Sequence, residues 1–344
     1  MVSMHVGVSL CRGFSPGGYR KRTPTDYQEV DLKKIHPIWI VLLALALVLA
    51  FGVAACGDDE DSGTAADEAT ETTAGESTDT TAAEEAGLNP TGPAADAADE
   101  AIAAVTKSDA IETPPTLKEG FLQGGSDTAF PPMEFSDGAG GYIGFDVDLC
   151  TAIAKKMGIE LEVVSTAWDG IIPNLLADRY DIIMSAMSIT PERLEQINFT
   201  DPYLPGILAI SAPIDAPVAE AAELSGKIVG VQVDTTGQFA VEEITGVKEI
   251  KKYGTILEAF MDMDAGRVEA VVNDEPVNAY IIATNTAYSE KFANTGGIVT
   301  DNSYGYAMKK ESTDLQAAMN TALQELRDDG VYQKILDKWG LTGN

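Results

Sequence analysis

The strongest constraint on the fold is an alternation of short apolar strands and amphipathic helices that begins near Leu117. Such alternation is typical of α/β proteins, in which strands joined through helices form parallel sheets. We therefore predict two successive sets of strands and helices. The predicted strands are 161–164, 181–184, 207–211, 227–233, 248–252 and 269–272, and the predicted helices are 171–177, 239–244, 257–265, 315–327 and 331–339.

The N-terminal part of the chain indicates export. Lys33 and Lys34 precede eighteen apolar residues, 38–55, which end in small residues followed by Cys56. Positive residues, an apolar segment and small residues in this order are typical of a secretory signal. Because eighteen apolar residues can also just span a bilayer, an uncleaved transmembrane anchor is the alternative.

The end of this segment, Val53-Ala54-Ala55-Cys56, resembles a bacterial lipobox, in which the cysteine receives a diacylglycerol and the signal is cleaved before it. We predict that residues 1–55 form an N-terminal extension with a lipoprotein signal peptide and that Cys56 is lipidated. The domain would then be extracytoplasmic and lipid-anchored to the cell membrane.

Residues 56–112 would comprise the lipidated cysteine and a disordered acidic tether. Residues 57–93 contain almost no large apolar side chains, so they cannot bury enough surface to offset the entropy of ordering. A short helix is expected over 94–105, before Pro114 and Pro115 end the linker.

Charge and residue content exclude several classes of function. The formal net charge is −31, and so acidic a surface repels phosphate backbones and disfavours a nucleic-acid partner. Both histidines, His5 and His36, precede Cys56, which excludes Ser-His-Asp and Cys-His sites from the domain. Cys150 lies among apolar residues at helical spacing, which predicts a buried, unpaired thiol. We expect no metal and no cofactor.

Polar residues follow several predicted strands, at the corners where open α/β sheets bind ligands. Thr190 and Pro191 predict a capped helix start, where Arg193 opposes the helix dipole unless it faces a carboxylate. A salt bridge from Arg193 to Glu192 or Glu195 is the alternative.

Of two further corners, one offers groups that bind an anion and the other offers a group that binds a cation. The turn at 234–238 presents backbone amides and threonine hydroxyls to an anion, and Asp274 follows strand 269–272, where it can hold an ammonium group. Considered alone, each is better explained as a helix cap. Phe130 and Trp168 add aromatic faces at comparable corners. Together these groups match the needs of a free amino acid.

Asp146 and Asp148, which precede an apolar helical run, are interpreted as N-capping residues.

A set of collinear motifs identifies a family resemblance over residues 115–342. The chain resembles the polar amino-acid-binding proteins of ABC importers, known as solute-binding family 3. The motifs include Gly144-Phe145-Asp146-Val147-Asp148-Leu149 and Met187-Ser188-Ile189-Thr190-Pro191-Glu192-Arg193, with further matches at 126–135, 168–173, 199–203, 234–237, 273–276 and 329–332.

The resemblance implies an α/β, two-lobed periplasmic-binding-protein fold of type II. Each lobe would be a mixed, mostly parallel sheet flanked by helices, and two hinge strands would join the lobes and let them close on the ligand. Lobe 1 would contain residues 113–205 plus 305–344, and lobe 2 residues 206–304. The implied partners are a small-molecule amino acid and an ABC transporter permease, and we expect a monomer.

The resemblance also assigns roles around the ligand backbone. Arg193 would bind the ligand carboxylate, helped by the backbone at Ser188 and Thr236. Asp274 and the backbone at Ala186 would hold the ammonium group.

The ligand side chain would lie between Phe130 and Trp168, with Asp127 at its polar end. Asp127 favours a cationic or amide-bearing amino acid over glutamate or aspartate. One departure is Asp234, where the family usually has glycine; if this position needs a positive φ, aspartate tolerates it better than most residues.

Two other functions are compatible with this resemblance. Relatives include a cyclohexadienyl dehydratase, which would make this chain an enzyme with an anionic carbocyclic substrate. Other relatives are ligand-sensing modules attached to transmembrane signalling regions, and no second transmembrane segment is recognisable in this sequence.

Overall fold

The computed structural model describes residues 90–342, so the predicted signal peptide, Cys56 and the predicted tether up to residue 89 lie outside the described residues. The strands are β1 (Phe121–Ser126), β2 (Ala129–Phe130), β3 (Glu134–Ser136), β4 (Tyr142–Ile143), β5 (Glu160–Ser165), β6 (Ile182–Ile183), β7 (Asn198–Phe199), β8 (Leu204–Pro205), β9 (Leu208–Pro213), β10 (Ile228–Gln232), β11 (Glu249–Tyr253), β12 (Ala270–Asp274), β13 (Phe292–Ile298), β14 (Ser303–Tyr304) and β15 (Ala307–Met308).

Helices connect and flank these strands. They are α1 (Pro93–Ala104), α2 (Phe145–Met157), α3 (Ile171–Leu176), α4 (Pro191–Leu194), α5 (Thr236–Glu242), α6 (Ile256–Asp264), α7 (Glu275–Thr284), α8 (Thr286–Ser289), α9 (Thr313–Asp328) and α10 (Val331–Trp339). Short 3-10 helices cover Trp168–Gly170 and Ala221–Leu224. No helix among residues 90–342 is both long and apolar enough to cross a membrane.

Two five-stranded sheets of the same design form the two lobes. Their strand orders are β5-β1-β6-β15-β7 and β11-β10-β12-β9-β13. In each, three parallel strands are followed by one reversed strand, and the fifth strand is antiparallel to the reversed one. The predicted two-lobed α/β fold with mixed, mostly parallel sheets is confirmed. Below, the first lobe is the one built on β1 and the second lobe the one built on β10.

The chain passes between the lobes along two neighbouring segments. β8 lies on the way into the second lobe and β14 on the way out of it, and the two pair antiparallel, with Tyr304 opposite Leu204. Both of these side chains are buried. The two crossings therefore form a narrow paired connection.

The start of one helix differs from the prediction. The apolar pattern predicted a helix from residue 239, but α5 begins at Thr236, where the side chain of Thr235 accepts a hydrogen bond from the backbone of Gln238. The polar cap thus adds a first turn before the apolar pattern begins.

The segment before Leu117 is folded onto the first lobe. Helix α1 buries Ala95, Ala98 and Ile102, and the small side chains permit close packing against α10. Lys338 forms an ion pair with Asp99 at 2.7 Å. The predicted helix is confirmed, but the prediction of a disordered tether that extends to residue 112 is wrong for residues 93–112.

Cys150 lies in the core of the first lobe. Its side chain is fully buried on α2, as predicted, and it is a free thiol within residues 90–342. Burial raises the pKa of this thiol well above its ordinary value, so the side chain acts as a small apolar group.

Candidate functional site

A cleft lined by residues of both lobes lies at the carboxyl ends of the parallel strands of both sheets, and we refer to it as the cavity. All eight residues predicted for the site line this cavity, which are Asp127, Phe130, Trp168, Ala186, Ser188, Arg193, Thr236 and Asp274. Ser185, Gln232 and Thr235 also line it; Thr235 belongs to the predicted turn at 234–238, whereas Ser185 and Gln232 were not predicted.

Arg193 is the cation of the cavity. Thr190 caps the helix by accepting a hydrogen bond from the Arg193 backbone, as predicted, and the guanidinium turns inward so that the residue is 8% exposed. The Arg193 guanidinium donates to the carbonyl oxygen of Ser188 at 2.8 Å and to that of Asp234 at 3.3 Å. Its Cζ atom lies 5.3 Å from the ring centroid of Trp168.

The charge of Arg193 is not balanced by a protein carboxylate at ion-pair distance within residues 90–342, so the predicted alternative of a salt bridge to a neighbouring glutamate is not observed. Burial lowers the pKa of Arg193 to about 10, and Asp274 is the largest opposing influence. The guanidinium therefore stays charged at neutral pH and can bind an anion inside the cavity.

Asp274 ends β12 on the opposite lobe. The residue is 8% exposed, and its Oδ1 atom has no hydrogen-bond partner in the described part of the chain. Burial raises the pKa of Asp274 to about 7, against the opposing influence of the Tyr304 hydroxyl and of Arg193. A cation bound next to this carboxyl would favour its ionised form.

Asp127 follows β1 and faces the second lobe. Its Oδ2 atom accepts a hydrogen bond from Nε2 of Gln232 at 2.6 Å, and Gln232 also donates to the carbonyl oxygen of Gly254 at 3.0 Å. Burial raises the pKa of Asp127 to about 6, although the Gln232 bond opposes this. A glutamine inside the predicted strand 227–233 was the sequence signal for Gln232, because a buried amide needs polar partners.

Asp234 brings the two lobes together through its backbone. Its carbonyl oxygen accepts from Nε1 of Trp168 at 3.2 Å and from Arg193, both on the first lobe. The residue has a φ of 56°, so the expectation that aspartate adopts the conformation of a glycine position is confirmed. Its side chain is exposed.

The interpretation of Asp146 as a helix cap is wrong. Gly144 precedes α2, and no side chain caps that helix start. Asp146 is instead fully buried, and its Oδ2 atom accepts from the backbone of Ala186 and from the hydroxyl of Tyr203, each at 2.8 Å. Within residues 90–342, no group of His, Cys, Asp and Glu side chains has an arrangement suited to a metal ion.

Two lobes with a charged cavity at the carboxyl ends of their strands define the class of two-lobed solute-binding proteins. Residues 122–342 match the bacterial extracellular solute-binding proteins, family 3, and the chain belongs to this family.

Several proteins that are similar to this chain in sequence or structure are named as amino-acid-binding proteins. The ABC transporter arginine-binding protein 1 of Escherichia coli is 33% identical over 223 residues, which cover 62% of this chain and 88% of that protein. An ancestral arginine-binding protein bound to arginine is similar in structure, with a TM-score of 0.62, 36% identity and coverage of 64% of this chain and 98% of its own. An ancestral amino acid-binding protein described as a precursor of cyclohexadienyl dehydratase has a TM-score of 0.59, 35% identity and coverage of 65% and 96%.

Proposed function

We propose that this protein captures a polar amino acid outside the cytoplasm and delivers it to an ABC import permease. One observation supports the proposal above all: Arg193 and Asp274 line the same cavity, both are buried, and neither forms an ion pair among the described residues. The carboxylate and ammonium of one α-amino acid complement both groups. The names of the similar proteins agree with this.

The side chain of the ligand is cationic or bears an amide. Asp127 offers a buried carboxyl to its polar end, and like charges repel strongly in a dehydrated cleft. Trp168 and Phe130 line the same cavity and give the methylene groups and the cationic end of the ligand aromatic surfaces. Arginine, lysine and glutamine should therefore bind ahead of glutamate and aspartate.

Calorimetric titration with the twenty proteinogenic amino acids tests whether the protein binds an amino acid and which class of amino acid it prefers. The protein for this test is the predicted mature chain with Cys56→Ser, which keeps all the described residues. Tightest binding of arginine, lysine or glutamine is the expected result. Tightest binding of glutamate would contradict the ligand class, and binding of no amino acid would contradict the proposed function.

In this proposal the protein is not an enzyme, although one structural neighbour is described as a precursor of a dehydratase. Of the substrates to be tested for such an enzyme, prephenate lacks an ammonium group to pair with Asp274, whereas arogenate has one. Incubation with prephenate and arogenate, followed by detection of aromatic products, tests this point. Product formation that depends on the protein would favour the enzyme.

Anchoring through a diacylglycerol on Cys56 belongs to the same proposal, and the sequence around Cys56 supports it. Cys56→Ser should leave amino-acid binding unchanged and move the protein from the detergent phase to the aqueous phase in a partitioning assay. Retention of the variant in the detergent phase would contradict lipidation. Size-exclusion chromatography with light scattering should give the mass of a monomer.

A further inference from the structure

Glu134 lies behind the cavity wall and contacts one wall residue. Its Oε1 atom accepts a hydrogen bond from the hydroxyl of Ser185 at 2.6 Å, and the Ser185 oxygen accepts from the backbone N–H of Asp127 at 3.0 Å. All three residues are buried. Glu134 is thus connected through one hydroxyl to the residue that faces the ligand side chain.

Asp146 contacts the next residue of the same wall. It accepts from the backbone N–H of Ala186, whose φ of 41° is unfavourable for a residue with a Cβ atom. The hydroxyl of Tyr203 donates to the same Asp146 oxygen, and the Asp146 backbone donates to the carbonyl oxygen of Met133 at 2.9 Å. The two acids are therefore neighbours that hold consecutive residues of the wall.

Charge indicates how Glu134 acts. Its Oε2 atom has no hydrogen-bond partner in the described part of the chain. Burial raises the pKa of Glu134 well above its ordinary value, Asp146, Asp127 and Asp274 raise it further, and only the Ser185 bond opposes them. Among residues 90–342, Arg193 is the one cationic side chain that lines the cavity. These influences favour the neutral form of Glu134, and its contact with the cavity wall is the hydrogen bond from Ser185.

We propose that Glu134 and Asp146 are positioning residues of the ligand site, Glu134 acting through Ser185 on Asp127, and Asp146 acting on the peptide group of Ala186. Neither acid lines the cavity. This inference rests on the proposed function, because it assumes that an amino acid binds there.

Paired substitutions separate positioning from a merely structural role. Glu134→Gln keeps a neutral side chain with an acceptor oxygen, so its arginine affinity should stay within about threefold of wild type. Glu134→Leu removes the acceptor and should weaken arginine binding about tenfold. In an Asp127→Asn background the same Leu substitution should cost less than about threefold, because the carboxylate that it positions is gone.

Several outcomes would overturn the inference. Equal losses from Glu134→Leu in both backgrounds would show that Glu134 does not act through Asp127, and a tenfold loss in Glu134→Gln would contradict a neutral acid. If Glu134→Leu does not fold, Ser185→Ala interrupts the same connection and should show the same dependence on Asp127. A wild-type protein that binds no amino acid would overturn the proposed function itself.

The role of Asp146 is tested by comparing the affinities of its variants for arginine, lysine and glutamine. Asp146→Asn keeps the oxygen that accepts from Ala186 and should bind within about threefold of wild type. Asp146→Ala should weaken arginine, lysine and glutamine by a similar factor of about ten, because Ala186 lies on the backbone side of the ligand. Tyr203→Phe, which leaves the Ala186 bond in place, is the control. An Asp146→Ala protein with wild-type affinity would contradict the assignment.

Discussion

At Arg193, burial disfavours a positive charge, yet no protein carboxylate within residues 90–342 is close enough to form an ion pair. Natural proteins retain such an arrangement where a bound anion completes it. The same argument applies with opposite sign to Asp274, whose Oδ1 atom is buried without a partner in the described region.

Substitution of either charge should weaken ligand binding strongly. Arg193→Ala and Asp274→Ala should each cost about 2–5 kcal/mol of binding free energy, because each leaves an opposite charge of the ligand buried and unpaired. Calorimetry with the tightest-binding amino acid measures this. Arg179→Ala, at an exposed arginine of the same lobe as Arg193, is the control and should bind like wild type. Affinities within twofold of wild type for both site variants would show that the two subsites are misplaced.

The pH dependence of binding follows from the two buried aspartates. Burial raises the pKa of Asp127 to about 6 and that of Asp274 to about 7, and a cationic ligand favours the ionised form of both. Binding of a cationic amino acid should therefore be tightest above pH 7. Below pH 7, binding should release protons from these two carboxyl groups. Arginine affinity should fall by at least about tenfold between pH 8 and pH 5.

Calorimetry in buffers of different ionisation enthalpy counts the protons released. Asp127→Asn should reduce the dependence around pH 6 and leave the part that belongs to Asp274. A dissociation constant that does not change from pH 8 to pH 5 would contradict ionisation on binding.

At the scale of elements, local patterns predicted most of the fold. The apolar spacing predicted a helix over 331–339, which is the observed Val331–Trp339, and the Thr190 cap is where the sequence places it. These features depend on interactions within a few residues. Prediction from local patterns fails for Asp146, because its partners, Ala186 and Tyr203, are distant in sequence and only the folded sheet brings them together.

For the same reason, some residues of the site were predicted from the sequence and others were not. The eight predicted residues lie at strand ends or in the segments that follow strands, as the strand pattern and the family motifs both indicate, and all line the cavity. Gln232 is the last residue of β10, and its partner Asp127 is on the other lobe, so its place in the site depends on how the lobes meet. Ser185 was missed because its contact with Glu134 depends on packing behind the wall.

Helix α1 should contribute to the stability of the first lobe. It buries Ala95, Ala98 and Ile102, and it supplies Asp99 to the buried ammonium of Lys338. A chain that starts at residue 113 should be less stable than one that starts at residue 90 by roughly 3 kcal/mol, given the apolar surface that it would expose. Urea unfolding followed by tryptophan fluorescence compares the two chains. Equal unfolding midpoints and slopes would show that α1 does not stabilise the lobe.

At the scale of the whole molecule, the lobes are in contact across the cavity. Hydrogen bonds connect them, from Trp168 and Arg193 to the carbonyl oxygen of Asp234 and from Gln232 to Asp127. All of these residues lie at or next to the cavity wall. The conformation described is therefore closed, and the paired crossing strands β8 and β14 are the natural place for a hinge.

Ligand should shift the molecule toward this closed conformation. An amino acid that binds Arg193 on one lobe and Asp274 on the other favours the closed state, because only that state offers both groups at once. Small-angle scattering of a chain that starts at residue 90 should show a smaller radius of gyration at saturating arginine than without ligand. Trp168→Phe keeps the aromatic ring and removes the Nε1 donor to Asp234, so it should weaken arginine binding by about 0.5–1.5 kcal/mol and still compact at saturation. Arg193→Ala at the wild-type saturating concentration is the control and should not compact. Identical scattering of the wild-type chain with and without saturating arginine would contradict closure on the ligand.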